Sequence, residues 1–403
     1  MSTERYLGND YYYVGYSDMR IGRFENMIPL EKGVSYNSFL IKDEKNCLVD
    51  TVDSSILLQF KENVAAALAG EKLDYIVIHH MEPDHCAGII ELMELHPECR
   101  IVGNAKSFTF LKQFRGENYP DRQVLVGEND ILDLGKHKLR FILAPLVHWP
   151  EVMFSYDEST GTLFSSDAFG SFNYLSGNIY SDRVKYDEHW MREARLYYTN
   201  IVGKQGVSVQ KVFKKLEDVE LKQIFPLHGV LHRTPEMINK LVSMYNKWSK
   251  YEPEEKGLMV IYSSMYGNME ECCLKLAHML DERGIDNIRF FDVAQTDTHY
   301  LLAEIFRYSH IVVGVVNHNT KLYHETHEVL THFADNNLQN RKFALLASKS
   351  WGGKAADEAK EILLSMKGFE QIGETFEILS TLREDQIDDL KQLADRIVES
   401  FDK

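Results

Sequence analysis

Two rhythms of hydrophobic and polar positions divide the chain. From residue 257 onward, short apolar runs alternate with amphipathic stretches of helical period. GLMVIYSS precedes EECCLKLAHMLDERG, IRFFDVA precedes YLLAEIFRYS, and HIVVGVV precedes a longer polar-apolar helix; KFALLAS then precedes KAADEAKEILLSMKG, and FEILS precedes EDQIDDLKQLADRIVESF. Five strands each followed by a helix predict a doubly wound parallel sheet, because parallel neighbours need crossover helices on both faces. The expected strand order is 2-1-3-4-5.

Residues 1–252 follow the other rhythm. Short apolar runs separated by turns (YNSFLI, KNCLVDTV, LDYIVIHH, RIVGNA, LRFILAPLVH, GTLFSSDAFG, LKQIFPLHG) leave room for few helices, which predicts a β-rich α/β sandwich. The helical stretch TPEMINKLVSMYNKWSKY runs into the charged, Pro-containing YEPEEKG. A domain boundary is therefore expected at residues 251–256, with a first domain over 1–252 and a second over 257–403.

Composition narrows the function. At 403 residues and 44% hydrophobic content, the chain can bury two cores. A formal charge of -16 argues against general binding of nucleic acid or anionic membranes, since both are polyanions. The start MSTERYLGNDYYYVG has no apolar stretch behind basic residues, and no run of 18 apolar residues occurs, so a cytoplasmic protein is expected. Cys47, Cys86, Cys99, Cys272 and Cys273 are odd in number and lack a Cys-x-x-Cys spacing; reduced thiols are expected, not a disulfide framework or a thiolate metal site.

The chemistry begins at LDYIVIHHMEPDHCAG, a buried strand running into a loop that holds His79, His80, Glu82, Asp84 and His85 within seven residues. Three more donors each stand where an apolar run ends: His148 after FILAPLV, Asp167 after TLFSS and His228 after QIFPL. Ligands of α/β sheets collect beyond the carboxyl ends of strands, so these side chains can converge. Seven donors with one carboxylate free to bridge suffice for two cations. His80, Glu82 and His148 would serve one, Asp84, His85 and His228 the other, with Asp167 shared. Two imidazoles and two carboxylates per cation, with no thiolate, suit iron or manganese better than structural zinc. His79 falls one residue out of register and reads as a supporting histidine. Cys86 reads as a small buried residue.

The pattern His-x-Glu-x-Asp-His, followed by His148 after 62 intervening residues, Asp167 after 18 more and His228 after 60 more, closely resembles the flavodiiron proteins, or A-type flavoproteins. The resemblance covers nearly the whole chain, including GVSYNSFLI near the start. It implies a metallo-β-lactamase-like αββα sandwich followed by a flavodoxin-like domain, with two irons and one FMN per chain. The hydrolytic relatives of that sandwich carry a second His where this chain has Glu82, so the resemblance points to redox chemistry, the reduction of O2 or NO.

The second domain offers the matching cofactor loops. Its first strand ends in Ser263, Ser264, Met265, Tyr266, Gly267, Asn268 and Met269 just before a helix, where backbone N–H groups and the helix dipole favour a phosphate. This segment resembles the flavodoxin phosphate loop, except that Met269 replaces the usual Thr and removes one hydroxyl. The loop after the third strand (Val315, Val316, Asn317, His318, Asn319) and the loop after the fourth (Ser348, Lys349, Ser350, Trp351, Gly352, Gly353) are expected to flank the isoalloxazine ring, with Trp351 lying against it. FMN is expected over FAD because no Gly-x-Gly-x-x-Gly fingerprint is present.

Trp149, beside His148, and Tyr198, in the helix-like EARLYYTNI, are candidate pocket residues, with plain packing the more ordinary reading of each. The alternative reading is a metal-dependent hydrolase carrying a flavodoxin module, against which Glu82 speaks. No further electron-transfer domain is visible, so the resemblance implies an external donor, a rubredoxin-like protein or a reduced deazaflavin. It also implies a head-to-tail homodimer in which the flavin of one chain meets the metals of the other.

Overall fold

The structure, a computed structural model, describes residues 2–402. The chain forms two compact units, one ending at Asn246 and the other beginning at Lys247. The division falls in the last turns of the helix Pro235–Ser249, and the next strand begins at Glu255.

In the first unit, two sheets face each other. One has seven strands that lie side by side in chain order: Arg5–Gly8, Tyr11–Tyr13, Phe39–Ile41, Cys47–Val49, Tyr75–Val77, Arg100–Gly103 and Gln123–Leu125. The other has five, also in chain order: Ile131–Asp133, Lys138–Leu143, Met153–Asp157, Thr162–Phe164 and Gln223–Phe225. Phe39, Val49, Val77 and Val102 from the first sheet meet Phe141, Met153, Phe164 and Phe225 from the second in one buried cluster. Removing each such side chain from water contributes roughly 1.5–3 kcal/mol.

Register determines where the polar residues emerge. Phe164 pairs with Phe225 in a parallel ladder, so Asp167 and His228, each three positions further on, leave the sheet at one level. Val77 pairs with Val49 and Val102, also in parallel, and His80 again lies three positions beyond Val77. The short strands thus deliver three donors to one end of the sandwich.

The second unit carries the parallel sheet with the expected order. Ile288–Asp292 lies beside Glu255–Tyr262, then come Tyr308–His318 and Lys342–Lys349, and the short Glu370–Gln371 and Phe376–Leu379 both pair with the last of these. Helices Asn268–Asp281, Thr298–Arg307, His324–Asp335, Ala355–Ser365 and Ile387–Phe401 follow successive strands.

One buried cation ties this unit together. Arg341 is 1% exposed, and its guanidinium donates to five backbone carbonyls: Ile305 at 3.0 Å and Phe306 at 3.1 Å, in the last turn of the helix Thr298–Arg307, and Tyr251, Gln339 and Asn340 at 2.8, 2.9 and 3.1 Å. It caps a helix C-terminus, where carbonyls lack partners and the dipole favours positive charge. Burial pushes the guanidinium down to about 9, which leaves it charged at neutral pH. Arg341→Leu strands these carbonyls and is expected to destabilise the second unit by about 2–4 kcal/mol. Arg341→Lys, with fewer and differently placed donors, should recover only part. Denaturant unfolding of the full chain measures this; an unchanged midpoint for Arg341→Leu would contradict it.

Candidate metal centre and cofactor cavity

The loop after Tyr75–Val77 is held in shape before it can bind anything. Asp50, itself in the left-handed region at φ +54°, accepts from the backbone N–H of His79 at 2.7 Å, and its other oxygen lies 2.7 Å from His79 Nδ1. His79 Nε2 reaches Ser155 Oγ at 2.9 Å, so this histidine is committed to the scaffold. The chain then turns, and Glu82 precedes the single helical turn Pro83–Cys86. That turn presents Asp84 and His85 to the same space. Cys86, fully buried, points its thiol to the Met81 carbonyl at 3.4 Å.

All seven donors anticipated from the sequence meet at this end of the sandwich, in two groups: His80, Glu82, His148 and Asp167; and Asp84, His85 and His228. Glu82 Oε2 lies 3.1 Å from His80 Nε2 and 3.2 Å from His148 Nε2. Asp84 Oδ2 lies 3.3 Å from both His85 Nε2 and His228 Nε2. Asp167 faces both groups. Its Oδ2 is 3.1 Å from His148 Nε2 and 3.5 Å from His80 Nε2, while its Oδ1 is 3.1 Å from His85 Nε2 and 3.8 Å from His228 Nε2.

These separations fit metal ions better than hydrogen bonds. Donor atoms bound at about 2.1 Å stand about 3.0–3.4 Å apart around one octahedral or tetrahedral cation. Moreover, Asp84 Oδ2, His85 Nε2, Asp167 Oδ1 and His228 Nε2 are buried without hydrogen-bond partners, a costly condition that a cation relieves.

Electrostatics points the same way. Burial opposes ionisation of Glu82 and Asp167, yet the surrounding imidazoles hold both carboxylates well below their usual range. Burial likewise depresses the histidines, but Asp84 and Asp167 raise His85, and Asp167 and Glu82 raise His148, each to about 9. His80 is raised too, by Asp167, Glu151 and Glu82 acting against its burial.

Several residues near the centre escaped the sequence reading. Asp50 ends the apolar run CLV, the same signal that marked Asp167. Glu151, three residues after His148, receives the Nδ1 of His80 at 2.7 Å. Phe24 sits edge-on to the His228 ring at 5.4 Å. The adjacent Glu25 is pushed up to about 8 by loss of hydration and by Glu82 beside it. Of the two aromatic candidates, Trp149 lies beside His80 at 5.2 Å and His148 at 6.2 Å. Tyr198 takes the packing role, against Tyr245 at 4.8 Å, while its neighbour Tyr197 faces the centre, 5.3 Å from the His228 ring. Successive helical residues point about 100° apart, so only one of the two can face the donors.

In the second unit, a cavity of about 350 Å³ opens at the carboxyl ends of the strands. Ser264, Met265, Tyr266, Asn268, Met269, Val316, Asn317, His318, Asn319, Ser348, Lys349, Ser350, Trp351 and Gly352 line it, joined by Thr320 and Ser380, which sequence reasoning missed. Ser263 and Val315 are fully buried in the sheet and do not reach it. Gly267, at φ +88°, opens the helix Asn268–Asp281 with no side-chain cap, so the first-turn N–H groups stay available to an anion. Ser264 Oγ is buried without a partner. A phosphate would satisfy both. Met269 turns into the core, its sulfur 3.7 Å from Cys273 Sγ.

Asn317 locks two of the loops together, donating to the Ser348 carbonyl at 3.2 Å and accepting from the Ala355 N–H at 3.1 Å. Gly353 stands behind it, where a Cβ would come within 1.9 Å of Asn317 Oδ1. Trp351 is 72% exposed at the rim.

Residues 34–229 match a family model described as ODP family beta lactamase. Over 89% of its length, the chain is 29% identical to an anaerobic nitric oxide reductase flavorubredoxin of Aeromonas hydrophila, of which 72% is covered. It is 27% identical to an uncharacterized protein of Methanocaldococcus jannaschii, with 89% of each covered. The rubredoxin oxygen:oxidoreductase of Desulfovibrio gigas superposes with a TM-score of 0.93 at 23% identity, over 99% of both chains. This chain has the fold of the flavodiiron proteins. The flavodiiron protein of Giardia intestinalis shares the fold with a TM-score of 0.90 at 22% identity, over 100% of this chain and 98% of that one. The family's two-part architecture accounts for a donor-rich sandwich and a parallel-sheet unit in one chain.

Protons and metal compete for these donors. At pH 7.5 His85 and His148, raised to about 9, hold protons that a cation must displace. Binding of divalent metal to the metal-free chain is therefore expected to release about two protons or more, and apparent affinity should fall as pH drops below about 9. Calorimetric titration in buffers of different ionisation enthalpy reads the proton count; heats independent of buffer would contradict the expectation.

Proposed function

We propose that the chain is an oxidoreductase that reduces O2 or NO at a dinuclear iron centre held by His80, Glu82, Asp84, His85, His148, Asp167 and His228, with FMN in the second unit supplying electrons. Asp167 carries this reading: its two oxygens face separate donor groups, as a bridge between two cations requires. The carboxylate-rich, thiolate-free donor set supports iron. Two ferrous ions and a reduced flavin together hold four electrons, enough to take O2 to water or paired NO to N2O.

The chain's own part is to orient, dry and protonate. Trp149, flanked by Phe110 at 6.1 Å and Phe114 at 6.3 Å, covers His80 and keeps water from that side. Burial, together with the charges of Asp167, Asp84 and Glu82, pushes the Tyr197 phenol up, so it keeps its proton. Its hydroxyl is buried without a hydrogen-bond partner, placed to donate to a small ligand. Glu25 holds a second proton beside Glu82 at neutral pH.

In the second unit, Ser264 and the N-terminus of the helix Asn268–Asp281 would hold the FMN phosphate, and Trp351 and the loops pinned by Asn317 would flank the ring. The purified protein is expected to contain about two irons and one FMN per chain and to consume O2 or NO under anaerobic stopped-flow conditions when the flavin is reduced. Stoichiometric zinc, with no activity gained on iron loading, would favour the hydrolase reading instead. Rates with each gas assign the substrate, and rates with a rubredoxin-like protein against a reduced deazaflavin assign the donor.

Electron delivery needs flavin and iron close together. Met265, Tyr266 and Trp351 form an exposed apolar rim at the cavity, 42%, 88% and 72% exposed, a surface suited to docking. We assign it to a head-to-tail homodimer, in which each flavin serves the partner's irons. A chain disabled at iron (Asp84→Ala with His228→Ala) coexpressed with one disabled at flavin (Gly267→Trp) should regain activity in mixed dimers. Inactive mixed dimers that hold both cofactors would mean that transfer runs within single chains.

A further inference from the structure

The two donor groups look alike from the front, each contributing two imidazoles and one carboxylate besides the shared Asp167. From behind they differ. His80 Nδ1 lies 2.7 Å from Glu151 Oε1, and the same oxygen accepts from the backbone N–H of Met81 at 2.9 Å. Glu151 is 1% exposed, and its other oxygen is buried without a hydrogen-bond partner. A buried carboxylate left half-satisfied is costly, so something fixes it there. That restraint is visible: the Glu151 carbonyl accepts from Asn104 Nδ2 at 2.5 Å, and Asn104 Oδ1 in turn caps the helix Ala105–Arg115 through the N–H groups of Lys106 and Ser107.

The second group has no such backing. His228 Nδ1 reaches only the neutral backbone carbonyl of Ser35, at 2.8 Å. His85 Nδ1 is buried with no hydrogen-bond partner. Among the described residues, Asp50 is the other buried acid beside the loop, and it is committed to His79 and to the loop backbone.

A carboxylate behind an imidazole fixes the tautomer with the proton on Nδ1, leaves Nε2 as a lone pair, and strengthens that nitrogen as a donor. It also adds a negative charge near the cation in a medium of low dielectric. We propose that Glu151 makes the two metal positions unequal: the His80, Glu82 and His148 position binds a divalent cation first and more tightly, with Glu151 as the positioning residue that sets the order. The Asp84, His85 and His228 position fills second and releases its ion more readily. The inference rests on the dinuclear reading of the site.

The test is an anaerobic titration of the metal-free full-length chain with Co2+, followed by its visible absorption and by calorimetry. The wild type should bind two ions in resolved steps, the first at least about tenfold tighter. Glu151→Gln keeps size and hydrogen bonding but removes the charge, and should weaken the first step about tenfold. Glu151→Leu removes both and should weaken it about a hundredfold. Neither should move the second step more than about threefold. The double variant His85→Ala with His228→Ala should retain the tight step alone, which identifies the position that fills first.

Failure of the wild type to bind about two ions would sink the dinuclear reading itself. Two equal steps in the wild type would overturn the inference while leaving that reading intact, whatever the variants do. Equal weakening of both steps by Glu151→Gln, or none, would do the same for the role of Glu151. Melting of the metal-free Glu151→Gln chain, expected to stay near the wild type, separates positioning from loss of fold.

Discussion

Seven ionisable side chains confined to one end of a β-sandwich set the central constraint of this molecule. Desolvation opposes every one of those charges, and the carboxylates and imidazoles offset the cost only partly by facing each other at 3.1–3.8 Å. Four buried donor atoms still lack hydrogen bonds. A protein that keeps such an arrangement either forfeits stability or recovers it when cations bind, because binding free energy to a preformed site adds to folding free energy. The surroundings follow from this. Asp50 fixes the loop, Glu151 backs one histidine, the Ser35 carbonyl backs another, and Trp149 and Phe24 shield the rings.

Parallel register brings the donors together. His80, Asp167 and His228 each sit three residues past a strand residue whose ladder partner is defined, so three distant segments leave the sheets at one level without separate machinery. The second unit uses the same geometry, with its cavity outside the carboxyl ends of a parallel sheet. The cavity offers unpaired N–H groups at a helix start and one unsatisfied hydroxyl, and Met269 packs into the core.

The proteins that this chain is similar to are named for different gases, a nitric oxide reductase flavorubredoxin and a rubredoxin oxygen:oxidoreductase. Under the proposed reading, the donors that would hold iron are indifferent to which diatomic molecule binds. Discrimination would then fall to groups near the donors such as Tyr197 and Glu25, whose proton affinities depend on neighbours from other elements. Glu25 lies in the turn between the short strands Arg23–Phe24 and Ile28–Pro29, and its carboxyl is raised first by burial and then by Glu82, far away in the chain.

The sequence alone determined the architecture, the seven residues that converge at one end of the sandwich and most of the cavity lining, because each is encoded locally. Strands and helices have their own hydrophobic periods, and a donor that ends an apolar run or precedes a helix declares its place by position. Which atoms stand behind those donors was decided only by tertiary structure. Glu151 and Asp50 looked like ordinary acids until the chain brought them against His80 and His79, 71 and 29 residues away. Tyr197 was indistinguishable from Tyr198 until helix packing turned one ring toward His228 and the other toward Tyr245. Asn317 read as a cofactor contact, yet both ends of its amide also hold backbone groups of the neighbouring loop. Periodicity reports the direction a residue faces within its own element. The partner it meets is settled by packing between segments distant in the chain, on which local pattern carries no information.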